Sequence, residues 1–490
     1  MKKSIVAVNW QPNRENSQPA YIQITDYMFQ KIQSGEWITG AYLPNQRELS
    51  KALGVNRSTL VLAIEELKDI GLLETFGKGG TQIIAKQVLS QASKQPDWQA
   101  HISESFQSAN LETIQIINRY EFTEGFIRLS SGEPSPDFFP KDMMSEVMVE
   151  VAKDMTNLGY EAPKGMLYLR EQVSDYLKDF GIQAPPENIL IVSGALQAIQ
   201  LVSIGLLQPG ATVFLEKPSY LYSLNIFQSI GLRRSAIAMD ENGLIPELIL
   251  KNCPKHRQSL LYTVPSFHNP TGLVMPEKRR IELLAVCGRT QTPIIEDDVY
   301  RELWMDEPSP LPIKSHDRSG SVLYVGSVSK TLSTGLRIGW LVGPEAVVER
   351  LGDLKMQNDY GSSSLAQLVA GKFLEKGYYS EHSIVVRHQL RERRKIALEA
   401  LSHYFSDLAE WDIPKGGYYV WIRFKLPVRT KELFDESFKK GILTYPGYLY
   451  DNEMNNCLRI SYSYASIEEI EYAIKELSKI ARKLIAVKKI

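Results

Sequence analysis

Residues 326–340 read GSVSKTLSTGLRIGW, and the reading of most of the chain turns on them. The stretch follows the short apolar run 322–325, which has the texture of a buried strand, so Ser327 and Lys330 stand just past a strand's C-terminal end. A lysine with small hydroxyl neighbours in such a place can lose its charge and attack an aldehyde carbon. Ser327 on one side and Arg337 on the other can hold a phosphate beside it. Taken alone the pattern is weak, because most lysines are solvated surface residues.

The neighbouring runs strengthen it. From about residue 126 onward, apolar runs at 188–192, 212–215, 260–264, 293–296 and 322–325 alternate with amphipathic stretches. That alternation predicts an α/β fold with a largely parallel sheet covered on both faces. Each run ends in residues suited to a ligand, at the strand ends where open α/β sheets bind them. Asp297, in EDDVY, can keep a pyridine nitrogen protonated. Asn269, in FHNPTG, can donate to a ring phenolate oxygen. Ser193-Gly194-Ala195-Leu196 opens a helix whose free N–H groups can hold a phosphate. Tyr220 offers an aromatic face. Arg459, in the apolar LRIS, suits bidentate carboxylate binding. Singly, each has a plainer alternative: an Asp at a helix start, a core tyrosine, an Asn-Pro turn, an arginine in a structural ion pair.

In this order the stretches resemble the fold-type-I pyridoxal-phosphate-dependent aminotransferases, over residues of about 126–485. The resemblance implies that Lys330 joins the cofactor's aldehyde. Asp297 would pair with the pyridine nitrogen, Asn269 and Tyr300 would contact the ring's O3′, and Tyr220 would stack on the ring. Ala195, Leu196, Ser327 and Arg337 would hold the phosphate, Arg459 would take a substrate carboxylate, and Gly132 (in SGEPSPDFFP) matches the substrate-loop glycine. Tyr160 (in LGYEAPKG) matches the residue that reaches a neighbouring subunit's phosphate. One departure is visible: Ala195 and Leu196 stand where that family has hydroxyl or amide side chains, so part of the phosphate hold falls to backbone N–H groups.

The first 85 residues have another texture. Apolar residues at 24, 27, 28 and 32 give a helical spacing over 21–34. Asn45 caps a second short helix, with Glu48 in capping-box position, and that helix ends at Gly54. Asn56 caps a third, whose inner face is Leu60, Ile64 and Leu67 and which stops at Gly71. A Gly-rich hairpin at 72–84 comes next. Two short helices joined by a tight turn form a helix-turn-helix, and the hairpin would be its wing. Residues 19–85, including LPNQRELSKALGVNRSTLVLAIEELKDIGLLETFGKGG, resemble the winged helix-turn-helix of the GntR family. The resemblance implies that Arg47, Arg57 and Ser58 face DNA and that Lys78 and Gly79 sit on the wing. Arg57 and Ser58 fall in the first turn of the recognition helix, where side chains and free N–H groups can meet phosphates and base edges. The alternative is an ordinary three-helix unit with solvated arginines. Residues 1–86 hold ten Lys+Arg against eight Asp+Glu, 10 − 8 = +2, so firm DNA binding would need a second half-site and hence a dimer.

Composition sets the bounds. A chain of 490 residues predicts two or three domains: a DNA-binding domain over 1–85, a Gln/Ser/Lys-rich linker over 86–125, and an aminotransferase-like domain over 126–490. The formal charge of −1 excludes a globally basic nucleic-acid binder. Cys253, Cys287 and Cys457 form no CxxC pair, which argues against a disulfide framework or zinc site and for a reducing compartment. The run 5–8 is too short for a signal-peptide core, and no stretch is long and apolar enough to span a bilayer, so the expected location is the cytoplasm with no membrane partner. A DNA-binding module preceding an aminotransferase-like domain resembles the MocR-type regulators within the GntR family. That resemblance implies a head-to-tail homodimer that binds double-stranded operator DNA and senses an amine, an amino acid or vitamin B6 itself through pyridoxal 5′-phosphate. The other possibility is a working aminotransferase with an appended module.

Overall fold

The computed structural model describes residues 4–13, 16–77, 80–84, 98–103, 105, 109–155, 158–254 and 257–487. The chain divides into two units, Met1–Ser105 and Phe106–Ile490, each with its own apolar core.

In the first unit, helices α1 (Ala20–Gln33), α2 (Gln46–Leu53) and α3 (Arg57–Asp69) precede a hairpin of β1 (Leu73–Thr75) and β2 (Thr81–Ile83). Asn45 Oδ1 accepts from Glu48 N at 3.0 Å and Asn56 Oδ1 from Thr59 N at 2.8 Å, so both predicted caps form. The return bond from Glu48, which a full capping box requires, is not made. Gly54 ends α2 with φ +67°, a left-handed conformation that favours glycine. Ile24, Met28, Leu49, Leu60 and Leu67 are fully buried. The N-terminal run also joins this core, with Val6, Val8 and Trp10 packed on it and Trp10 stacked 4.5 Å from Tyr27. Truncating Leu60 to Ala is expected to destabilise this unit by about 3 kcal/mol, read as the loss of its unfolding transition in denaturant. A change below about 1 kcal/mol would contradict the packing described.

The second unit begins with α4 (Glu112–Tyr120) and β3 (Ile127–Arg128). Its main sheet contains β4 (Ile189–Val192), β5 (Thr212–Lys217), β6 (Arg233–Asp240), β7 (Gly243–Leu244), β8 (Ser259–Thr263), β9 (Ile294–Asp297), β10 (Val322–Ser327) and β11 (Gly339–Val342). The order is β4-β11-β10-β9-β8-β5-β6-β7. Strands β10, β9, β8, β5 and β6 run parallel, while β11 runs antiparallel to both of its neighbours. β4, β8, β9 and β10 are buried at every position, which is why they read as continuous apolar runs. Successive residues face opposite layers: Leu190 and Val192 join one apolar cluster, Ile189 and Ile191 another. After the helix α5 (Ala195–Leu206) and the rest of this sheet, the chain builds a smaller antiparallel sheet. Its strands β12 (Ala409–Trp411), β13 (Tyr419–Phe424), β15 (Tyr445–Pro446) and β16 (Cys457–Ser461) lie in the order β12-β13-β16-β15. β14 (Ile442–Leu443) pairs with β3 in parallel.

One boundary differs from the sequence expectation. The polar stretch expected to be linker up to residue 125 contains α4, and α4 belongs to the second unit. Ile114 and Ile117 are buried with Trp421, Phe434, Leu449 and Tyr450, so the isoleucines serve as core residues for side chains some three hundred positions away. No helix among the described residues is long and apolar enough to cross a membrane.

Candidate functional site

The parallel strands deliver their C-terminal ends to one edge of the main sheet, and a cavity of about 320 Å³ opens there. The segment after β4 brings Gly194, Ala195 and Leu196. The turn after β5 brings Tyr220, the loop after β8 brings Asn269, the end of β9 brings Asp297 and Tyr300, and the end of β10 brings Ser327 and Lys330. Arg337, Gly132 and, from β16, Arg459 join them, and all of these predicted residues line the one cavity. Tyr160 does not. It is 83% exposed, with its ring 4.8 Å from that of Tyr360.

Lys330 Nζ donates to the Gly132 carbonyl oxygen at 2.7 Å and lies 5.8 Å from the centre of the Tyr300 ring. Asp297 is buried, its Oδ2 accepts from Tyr262 OH at 2.7 Å, and its Oδ1 has no hydrogen-bond partner. Burial pushes the Asp297 carboxyl up to about 6, against the opposing pull of the Tyr262 hydroxyl and the Val299 backbone N–H. An unpaired carboxylate oxygen at a cavity wall is costly unless a cation or donor meets it.

At the opposite end, Gly194 has φ +103° at the start of α5, and a Cβ there would come within 2.5 Å of Arg337 Nη2. Only glycine lets the Arg337 guanidinium lie this close to the helix start. Arg337 itself is left-handed at φ +54° and donates to the carbonyl of Ser193 at 2.7 Å. Ser327 Oγ and Ser329 Oγ lie 3.0 Å apart at the same wall. Guanidinium, hydroxyls and the first N–H groups of a helix make a place for a dianion.

On the third side, Arg459 is buried. Its Nη1 donates to Asn269 Oδ1 at 3.2 Å and its Nη2 to the Ser130 carbonyl oxygen, while its Nε has no partner. Its guanidinium lies 4.1 Å from the Tyr419 ring centre and 4.6 Å from that of Tyr445. Asn269 Nδ2 is 3.5 Å from Tyr300 OH, which pairs with Tyr419 OH at 3.1 Å.

In the first unit Arg47, Arg57 and Ser58 are exposed. Arg57 Nε donates to Gln46 Oε1 at 3.1 Å, and Ser58 Oγ donates to Asn56 Oδ1 at 2.8 Å. Lys78 and Gly79 lie outside the described residues.

Sequence reasoning missed Tyr262, Tyr419, Ser130, Ser329 and the wall that α4 and the turn after it supply through Ile117, Asn118 and Glu121. Ser329 stands inside the stretch SVSK, beside the lysine, and that position was its signal. Tyr262 lies in an apolar strand and reads there as an ordinary core tyrosine.

Comparison with known proteins agrees with this geometry. Residues 124–477 match the family "Aminotransferase class I and II", and residues 20–83 match "Bacterial regulatory proteins, gntR family". The chain is 49% identical over 467 residues to the "Uncharacterized HTH-type transcriptional regulator YdfD" of Bacillus subtilis (strain 168), covering 95% of this chain and 97% of that one. It is 47% identical over 476 residues to YisV of the same strain, also described as an HTH-type transcriptional regulator, covering 97% and 98%. Among solved structures, Pyrococcus horikoshii kynurenine aminotransferase in complex with PMP superposes with a TM-score of 0.75 at 29% identity, covering 80% of this chain and 99% of that one.

Proposed function

Because the chain belongs to the MocR-type transcription regulators, in which a GntR-family domain precedes an aminotransferase-like domain, we propose that it is a pyridoxal-phosphate-dependent, DNA-binding regulator that responds to an amine or amino acid. The observation that carries the reading is the buried Asp297 Oδ1 without a partner, at the wall of a cavity that also holds a lysine amine and a two-sided anion cradle. That donor set fits pyridoxal 5′-phosphate. Asp297 would face the ring nitrogen and Tyr220 a ring face, with Asn269 and Tyr300 at the phenolate oxygen. Arg337, Ser327 and the N–H groups of Ala195 and Leu196 would hold the phosphate. Tyr160, exposed here, would reach the phosphate of a neighbouring subunit in a head-to-tail homodimer.

When bound, the cofactor supplies an aldehyde carbon that joins primary amines reversibly and a ring that accepts electron density. The chain's own residues decide which amine occupies that position. Lys330 competes from within, held toward the cavity by the Gly132 carbonyl. Arg459, rigidly seated between Tyr419, Tyr445 and Asn269, orients a competitor by its carboxylate. Regulation requires that the two occupancy states bind DNA with different affinity. Operator binding by Arg47, Arg57 and Ser58 and a cytoplasmic location belong to the same reading.

The test is operator affinity of the apo-chain, the cofactor-loaded chain, and the loaded chain with candidate amines. A shift on adding amines supports the sensor. A shift on loading alone, with no further change, would mean that the vitamer is the effector. Steady conversion of amino acid to keto acid at a rate indifferent to DNA would favour the aminotransferase instead. Arg57→Ala is expected to weaken operator binding about tenfold and to flatten the salt dependence by about one ion, measured by fluorescence anisotropy at several salt concentrations. Arg57 is exposed and its side chain bonds to Gln46, so the unit should still fold. Unchanged affinity would remove Arg57 from the interface.

A further inference from the structure

We propose that the effector is a diamino acid: an amino acid whose side chain ends in a second, basic nitrogen, read by Glu121 and Glu133. The proposal rests on the sensor reading above and adds the chemistry of the ligand's far end. Arg337 and Lys330 are taken up by the cofactor and Arg459 by a carboxylate, which uses every cation lining the cavity among the described residues. The lining carboxylates are Asp297, which the ring nitrogen meets, and Glu121 and Glu133, which nothing in that assignment uses.

Those two glutamates share one cation. Arg128 Nη2 lies 3.6 Å from Glu121 Oε1 and 3.3 Å from Glu133 Oε2, so the trio keeps one negative charge in excess. Arg128 is held from another side by the Tyr464 ring, 3.7 Å from its guanidinium carbon. Burial, and to a smaller degree the neighbouring Glu133, raise the Glu121 carboxyl above its ordinary value, with Arg128 and, least, Arg459 pulling the other way, so its charged form gains from a further cation. Asn118, one helical turn before Glu121, adds a neutral donor and acceptor to the same wall.

A separate observation concerns Ser130, which lines the same cavity. It is 4% exposed, and its Oγ has no hydrogen-bond partner. Its carbonyl oxygen holds Arg459, so the unpaired hydroxyl lies close in the chain to the carboxylate anchor. A buried hydroxyl without a partner is uncommon and is satisfied when a polar ligand arrives. An apolar side chain would leave Ser130 and the excess charge unmet, and an acidic one would add like-charge repulsion.

The experiment is calorimetric titration of the full, cofactor-loaded chain with ornithine and lysine, with norvaline and norleucine, and with glutamate and 2-aminoadipate. Loading is checked first by cofactor absorbance. The basic pair is expected to bind at least about tenfold more tightly than either other pair. Glu121→Gln is expected to narrow that ratio to about threefold or less. Glu133→Gln should narrow it too, and it serves if the first variant fails to load. Equal or weaker binding of the basic pair, no binding by any pair to a loaded chain, or an unaltered ratio in the loaded variants would overturn the proposal while leaving the sensor reading intact. A chain that never takes up the cofactor would instead sink the sensor reading itself.

Discussion

Replacing Lys330 with Ala is expected to remove all borohydride-fixed pyridoxyl mass from the peptide that carries it and to abolish the response to amines, while operator affinity without effector stays within about twofold. The structure explains why so local a change has so complete an effect. The Lys330 amine makes one hydrogen bond, to the Gly132 carbonyl. The neighbouring fold is held through the Lys330 backbone, whose carbonyl oxygen accepts from Tyr418 OH and survives the substitution. The variant therefore loses a nucleophile and no packing of consequence. Mass spectrometry after reduction, with anisotropy on the same preparation, reads both arms. A fixed adduct on another lysine, or a normal response to amines, would move the chemistry away from this residue.

The second large effect concerns Asp297, and its two arms run in opposite directions. Burial raises this carboxyl from 3.8 to about 6. The unfolded chain therefore gives up the proton first, and stability falls as pH rises between those values. Above about pH 6 the whole penalty is present, on the order of 3 kcal/mol at about 1.4 kcal/mol per pH unit. Asp297→Asn keeps the shape and the acceptor for Tyr262 but removes the charge. The apo-variant should accordingly melt several degrees higher than the parent at pH 8 and match it near pH 4. Cofactor affinity should fall about tenfold or more, because the ring nitrogen loses its counter-charge. Melting curves across pH, paired with cofactor titration, test both arms. A variant less stable at pH 8, or one that holds the cofactor as tightly as the parent, would contradict the assignment. Such a trade of stability for binding is common where a site keeps an unsatisfied charge ready for a ligand.

The part of this architecture that sequence could disclose is the part that repeats one physical rule. The buried strands of the main sheet are mostly apolar, and each carries its ligand residues at or shortly past its C-terminal end. Gly194, Asn269, Asp297 and Lys330 are therefore found by scanning the few positions beyond each apolar run. The winged unit was legible for a related reason, since Asn45, Gly54, Asn56 and Gly71 punctuate its helices. Residues whose role depends on tertiary neighbours were hidden. Tyr262 becomes a partner of Asp297 only because β8 lies beside β9. Helix α4 has only Ile114, Ile116 and Ile117, with Tyr120 at its end, among polar residues, and nothing local indicates that Trp421 and Phe434 wait to cover it. Glu121 therefore reads as linker in the sequence, although it stands at the cavity wall.

The start of α5 has a last implication, for how such a pocket withstands mutation. Where Ala195 and Leu196 stand, the grip proposed for the phosphate comes from main-chain amides, and every residue except proline carries one. Genetic drift at these two codons can therefore alter size or polarity without erasing the donors. The vulnerable codon is the one before them, for Gly194, whose φ of +103° strains any residue with a side chain and where an added methyl group would push the Arg337 guanidinium from its place. A mutational scan should find 195 and 196 permissive and 194 nearly invariant, a contrast opposite to the one expected if side-chain hydroxyls carried the load.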